Sequence, residues 1–308
     1  MPFETDADDT LLAKAGELRQ AFHLNAVERD KQGGRPVDQI RLLKQSGLPS
    51  AQIAREYGGQ GASWLTILRI VREFAKTDGS LAHLFGYHHL PLNLILFRGS
   101  AAQKEKWLTG SGTVRFVNLE VHDDELISSP DVPLTPWSSL TSLLQQSVLL
   151  NVFVGSAQGI LEEGRNYTTT SSRPWIYSGV ERHVDDPWIK RQYGDLYIRT
   201  LAAAELADKA ARSLDAAYAE GPSLTAVDRG AAAINIATAN VYAGEVGLAV
   251  SSEVFEVMGA RSATTANGFD RFWRNVRTHT LHNPAEYKKR TVGTWLLTGE
   301  FPVPAIYR

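Results

Sequence analysis

Eight histidines occur in 308 residues, and five of them fall in two short runs. His83, His88 and His89 stand in SLAHLFGYHHLP, and His279 and His282 in RTHTLHNP. An imidazole exchanges a proton near neutral pH. Two such runs facing one cleft would supply an acid and a base, or hydrogen bonds to a bound substrate. Each histidine taken alone has a plainer reading, a local hydrogen-bond need in the core or at the surface. His279 and His282, three residues apart, share one helix face. No carboxylate accompanies them at ligand spacing and the run at His88 matches no metal motif, so no metal site is expected.

A third group is basic and aromatic. In GFDRFWRNVRTH, Arg271, Arg274 and Arg277 alternate with Phe269, Phe272 and Trp273. Guanidinium groups so spaced pair either with phosphate or with buried acids that tie helices together. Arg173, in TTTSSRPW, follows a helical pattern and precedes a proline that restricts the chain, which makes it a further candidate phosphate anchor. The run YGGQGA from Tyr57 to Ala62 follows no strand and fits no dinucleotide fingerprint. GxSxG, Walker A and kinase signatures are absent. The chain has no cysteine, which excludes disulfides, thiolate metal sites and a cysteine nucleophile, and agrees with a cytoplasmic protein.

Helices must position these groups. Apolar spacing predicts helices over Asp9 to Lys31, Val37 to Gln45, Trp64 to Lys76, Thr135 to Tyr167, Pro187 to Ala219 and Leu224 to Met258, then a shorter helical region from Asp270 to Leu297. The segment Thr113 to Leu126 reads as an isolated strand, which would expose unpaired backbone groups without a partner. The long later helices suit an antiparallel bundle. Ala231 to Val250 is nearly uncharged and is expected at the centre or at a subunit interface. Thr135 to Leu161 carries no formal charge and is long enough to span a bilayer, but its recurring Ser, Gln and Asn favour a helix buried in protein. Thirty-two basic against 34 acidic residues give no field to gather nucleic acid or anionic lipid, so neither is expected as a partner.

The turn REYGGQGAS, the helix FAKTDGSLAHLFGYH, the strand RFVNLEVHDDEL and a bundle closing with EVFEVMGAR, GFDRFWRNVRTHTLHNP and TGEFPVPA, in that order, resemble the acyl-CoA dehydrogenase superfamily over nearly the whole chain. The resemblance is closest to its reduced-flavin branch of dibenzothiophene and related sulfur-compound monooxygenases. In the dehydrogenases a late glutamate removes the substrate α-proton. Asn283 stands about where that base should be and cannot replace it, which points to oxygenation. The resemblance implies His88 and His282 as catalytic groups assisting a C4a-peroxyflavin. Arg173, Gly259, Ala260, Arg261 and His279 would be flavin contacts, with Arg173 reaching the phosphate across a subunit boundary, and Tyr87 and Asn283 would wall the substrate pocket. Glu256 replaces a glutamine usual in FAD-binding relatives, which favours FMN, delivered as FMNH2 by a separate reductase, over FAD.

The expected fold is therefore mainly α. An N-terminal helical domain would occupy 1–108, a remnant strand of the middle β-barrel 109–128, and a four-helix bundle 129–308, assembling into a homodimer or homotetramer. Members of the superfamily carry roughly a hundred more residues as that barrel, a one-domain length. Here KEKWL, ending at Leu108, runs straight into TGSGTVRF. The expected activity is oxygenation of an organosulfur compound such as dibenzothiophene. The alternatives are N-hydroxylation of an amine on the same scaffold, and a helical oligomer without flavin if the barrel is truly lost.

Overall fold

The computed structural model describes residues 6–108 and 133–305, and these form eleven α-helices and no strand. The expected strand within 109–128 lies outside the described residues. In the N-terminal part α1 (Asp6–His23), α2 (Ala26–Gln32), α3 (Val37–Gln45), α4 (Trp64–Ala75), α5 (Gly79–Arg98) and α6 (Ala101–Leu108) follow one another closely. The C-terminal part holds three long rods, α7 (Leu140–Thr170), α8 (Pro187–Ala219) and α9 (Ala226–Met258), followed by α10 (Asp270–His282) and α11 (Ala285–Thr298). This is the mainly helical fold that the sequence predicts.

The helix ends are set by local chemistry. The Ser63 side chain accepts from the Thr66 amide to start α4, and Asp78 accepts from the amides of Ser80 and Leu81 to start α5. Asp186 caps α8, whose first residue is Pro187, and Thr225 caps α9. Two predicted helices are each divided. The run from Asp9 to Lys31 breaks after His23, where Leu24 falls out of the apolar stripe and is 85% exposed. The region from Asp270 to Leu297 breaks at Asn283 and Pro284, since the residue before a proline is pushed out of helical geometry.

The centre is α7. Most of its apolar stretch is buried, and it packs against α4, α5, α8, α9 and α10. It is long and apolar enough to cross a membrane, but 89% of its most apolar window lies inside the protein, as its polar residues foretold. Its glycines permit this crowding. A Cβ at Gly155 would lie 2.2 Å from the carbonyl oxygen of Arg72, and one at Gly159 would lie 2.1 Å from that of Lys76. Both carbonyls belong to the C-terminal end of the α4 segment, so the two backbones touch there directly.

Beside that contact Arg72, only 8% exposed, donates to the Asn151 side chain at 3.0 and 2.8 Å and to Asp208 at 2.6 Å. Arg69 holds the other oxygen of Asp208 at 2.8 Å. Burial pushes the Asp208 carboxyl up, but the two guanidinium groups overcome it and hold the group below its ordinary range. The network joins α4, α7 and α8. Arginines of α10 make similar ties: Arg271 pairs with Glu163 of α7, Arg274 with Asp30 of α2, and Arg277 lies over the ring of its neighbour Trp273. Of the two readings open for these arginines, the helix-tying one describes Arg271 and Arg274.

Gly155→Ala should lower unfolding free energy by about 2–3 kcal/mol, because carbonyl backbone cannot give way as a side chain can. Gly16→Ala in α1, where an added Cβ meets nothing within 4 Å, should instead raise it by up to about 1 kcal/mol. Urea unfolding of both variants checks the pair. Equal effects would show that α7 has room to move.

Candidate active site

The site arises from the register of two helices. α5 and α10 both rest on α7 and approach each other where α5 begins. A Cβ at Gly79 would lie 2.9 Å from the Asn275 side chain, so glycine lets the helices close there. One turn on, His83 faces His279 with ring centroids 4.8 Å apart, and their nearest nitrogens are 3.4 Å apart. A further turn on, Tyr87 and Asn283 line one cleft together with His279 and His282. The i, i+4 spacing from Gly79 to His83 and from Asn275 to His279 is the same on both helices, with Tyr87 one turn further on α5 and Asn283 just past the end of α10.

The cleft is small, with a cavity volume of about 40 Å³. Its floor comes from α7 and α9, where Gln146 and Asn240 lie among apolar neighbours such as Leu149 and Phe153. The Asn240 amide donates to the Gln146 carbonyl at 2.9 Å, tying the two rods at this level.

Hydrogen bonding assigns the tautomers. His279 Nδ1 lies 2.7 Å from the Asn275 carbonyl, which only accepts, so the nitrogen carries the proton. In neutral His279 the other nitrogen, Nε2, is then a lone pair, and His83 Nδ1 donates to it. His83 Nε2 is left buried and without a hydrogen-bond partner. Burial, then the nearby charges of His279 and His282, depress the His83 pKa to about 4. Burial also lowers His279, with the Asn275 carbonyl opposing it. The Tyr87 hydroxyl is pushed up by burial, and its ring sits edge-on to His83 at 4.1 Å. Both imidazoles are thus held toward the neutral form in the resting site.

His88 stands elsewhere. It lies on an exposed stripe of α5 with Leu84, Pro91 and Leu94, meets the backbone of Pro49, and is not among the cleft-lining residues. His89 is fully buried between Trp64 and Phe85, and neither of its ring nitrogens has a partner. Among the described residues no group of three or more His, Asp or Glu is placed to hold a metal.

The residues expected to contact flavin split into two places. His279 is at the cleft. Arg173 and the turn Gly259, Ala260 and Arg261 lie together at the far end of α7 and α9, joined by Ser172 Oγ donating to the Met258 carbonyl at 2.7 Å. Gly259 has φ 83°, a left-handed turn that glycine adopts freely. The Arg173 and Arg261 side chains are exposed, with the chemistry to take a phosphate. From Asn240 to Met258, 18 residues of α9 at 1.5 Å each amount to about 27 Å. The two places are thus well separated along the rod. Glu256 is exposed and accepts from Gln192 at 3.2 Å.

Sequence patterns of known proteins agree with this architecture. The acyl-CoA dehydrogenase N-terminal domain matches residues 10–113 and the acyl-CoA dehydrogenase C-terminal domain residues 148–286. A probable FMNH2-dependent monooxygenase of Pseudomonas putida is 32% identical, over 96% of this chain and 97% of the relative. Dibenzothiophene monooxygenase of Mycolicibacterium goodii is 33% identical over 94% of each. Among solved structures, methanesulfinate monooxygenase of Pseudomonas fluorescens superposes with a TM-score of 0.91 at 32% identity, covering 96% of this chain and 99% of that one. The FMN-bound enzyme TdsC of Paenibacillus gives 0.89 at 26% identity, covering 97% and 100%. The alignment with the Pseudomonas putida protein runs over 382 positions against 308 residues here, so at least 382 − 308 = 74 positions have no counterpart in this chain.

Burial holds His89 neutral in the folded protein down to about pH 3, with the charge on His88 adding to the effect, whereas an unfolded chain protonates the group near 6.5. Between those values the folded state binds fewer protons, so stability falls as pH drops from about 6.5 toward about 3. His89→Leu should shrink the loss of unfolding free energy between pH 7 and pH 5 by about 2 kcal/mol. Urea titrations at both pH values measure it, and an unchanged loss would mean that His89 does not titrate with unfolding.

Proposed function

The chain belongs to the acyl-CoA dehydrogenase family, and on that premise we propose that it is a two-component, FMNH2-dependent monooxygenase that oxygenates an organosulfur compound. The observation that carries this reading is the α5–α10 register, which places Tyr87, His279, His282 and Asn283 on one cleft and backs His279 with His83. A dehydrogenase of this family needs a carboxylate base, whereas this position holds the amide of Asn283. The relatives named above are monooxygenases.

Bound reduced flavin would supply the electrons that activate dioxygen. The chain's own residues then bind, orient and manage protons. His282 stands at the mouth of the cleft, where its imidazole can exchange a proton with substrate or solvent. His279 is fixed by the Asn275 carbonyl and in turn positions His83. Tyr87 and Asn283 wall the substrate, and Phe153 and Leu149 exclude water from one side. His88 faces Pro49 and takes no part in this arrangement.

We assign the phosphate end of FMN to Arg173 and the Gly259–Arg261 turn of a second copy of the chain, a reading that the roughly 27 Å of α9 between Asn240 and Met258 supports. In this reading the working protein is a homodimer or homotetramer in the cytoplasm, fed with FMNH2 by diffusion from a separate reductase. The 74 or more positions that this chain lacks favour one rival reading, a helical oligomer that no longer turns over, since that segment would cover the ring face of the cleft.

Anaerobic titration with FMNH2, followed by oxygen and dibenzothiophene or a simple sulfide, separates these readings. Retained FMNH2 and a product heavier by one oxygen in the mass spectrum are expected. His282→Ala and His83→Ala should each lower product formation by at least about 100-fold while FMNH2 affinity stays as in the wild type. A wild-type protein that binds no FMNH2 would leave only the helical-oligomer reading.

A further inference from the structure

The polar side chains around the cleft divide into those that hydrogen-bond within the protein and those that do not. Ser142 Oγ donates to the Ser139 carbonyl at 2.9 Å, Thr280 Oγ1 to the Arg277 carbonyl at 2.9 Å, and the Asn240 amide to the Gln146 carbonyl. The Gln146 amide donates to the Ser142 carbonyl at 3.4 Å, and Lys288 Nζ to that of Asn283 at 3.5 Å. Gln145 is different. It borders the cleft, yet its carboxamide has no hydrogen-bond partner among the described residues. Nor is that carboxamide sealed in the core, as the unpartnered oxygens of Thr141 and Gln158 on the same helix are. Gln145 is half-buried between the buried Leu144 and Gln146, and the open space beside it is the cleft.

The setting of this amide is apolar. Leu149, one turn further along α7, and then Phe153 continue the cleft floor from Gln145. Among the described residues no carboxylate lines the cleft. A carboxamide is neutral and offers two N–H donors. A sulfide would suit the apolar strip but leave those donors unused, because divalent sulfur is a weak acceptor. A sulfoxide suits both, having the same apolar body and an oxygen on sulfur that accepts hydrogen bonds well.

We propose that Gln145 is a catalytic residue that donates an amide N–H to the oxygen as sulfur acquires it, so that the cleft recognises the oxidised sulfur in preference to the sulfide. This assignment rests on the monooxygenase reading of the same cleft and adds to it a residue on α7. In the reaction a sulfur lone pair forms the S–O bond and the O–O bond of dioxygen breaks. The second oxygen atom leaves as water, with two electrons and two protons from FMNH2, which becomes FMN. The oxygen on sulfur gains negative charge as its bond forms, so the Gln145 hydrogen bond is stronger in the transition state than with bound sulfide. Such a bond raises kcat more than it lowers KM.

Calorimetry on the full chain without flavin tests the assignment. Tetrahydrothiophene and its S-oxide share a ring and differ by one oxygen, and both are titrated into wild type, Gln145→Leu, Gln145→Glu and Tyr87→Phe. Gln145→Leu should weaken the S-oxide at least about fivefold, the loss of one neutral hydrogen bond, and leave the sulfide within about twofold. Gln145→Glu keeps the shape, replaces the donors by a carboxylate and should weaken the S-oxide at least as much. Melting temperatures report whether the variants fold, and the isosteric Gln145→Glu decides if Gln145→Leu does not. Unchanged S-oxide affinity in Gln145→Leu, an equal loss for both probes, or a wild type that binds neither would overturn the proposal. So would a Tyr87→Phe that alone weakens the S-oxide, which would make the phenol the donor, or a Gln145→Leu that weakens FMNH2, which would give the carboxamide to the flavin. With FMNH2 and oxygen supplied, Gln145→Leu should lower kcat for the sulfide about tenfold with KM unchanged, and a loss carried wholly by KM would overturn the transition-state role. Because the first readout is binding, Gln145-dependent recognition of the S-oxide in a protein that never oxygenates would sink the enzyme reading and leave Gln145 as the donor of a sulfoxide-binding site.

Discussion

The burial of α7 on nearly every side is the constraint from which the rest follows. A helix enclosed by five others must meet each at backbone distance, and its glycines set those distances. Gly155 and Gly159 admit the α4 carbonyls, Val148 fills the space that Gly86 of α5 leaves, and the Phe153 carbonyl lies against Gly247 of α9. With α5 and α10 both seated on this rod, neither can slide without breaking close contacts. The histidine register is a consequence: His83 meets His279 because Gly79 meets Asn275 one turn earlier.

The same burial makes polar groups inside the bundle matter. Arg72, Asn151 and Asp208 are satisfied by one another and hold three helices together, whereas His83 Nε2 and the Lys288 ammonium are left incompletely paired beside the cleft.

Much of this was legible in the sequence. The bounds of α3 and α8 follow from apolar spacing with Pro187 at a helix start, and the polar residues scattered through α7 distinguished a buried helix from a membrane span. The C-terminal histidines were legible too, because i, i+3 spacing puts them on one face. Which histidine of SLAHLFGYHHLP would face them was not, since it depends on the rotation of α5 about its axis, fixed by the contacts of Gly79 and Gly86 with residues far away in the chain. His83 is one turn from Gly79 on the inner face, while His88 falls on the outer stripe. Gln146, Asn240 and Lys288 were missed as site residues. Their signal was a polar residue within or beside apolar stretches, which also describes a residue that bonds its own helix.

The central claim is that one catalytic unit draws the histidine cleft from one chain and the phosphate-binding turn from another. Mixing tests it most directly: a His282→Ala chain and an Arg173→Ala chain, each inactive alone, are unfolded together, refolded and assayed with FMNH2. The account predicts that activity returns, because a mixed oligomer contains one site with both His282 and Arg173 intact. A mixture as silent as its two components, beside an active wild type refolded in the same way, would contradict it and return the whole site to a single chain.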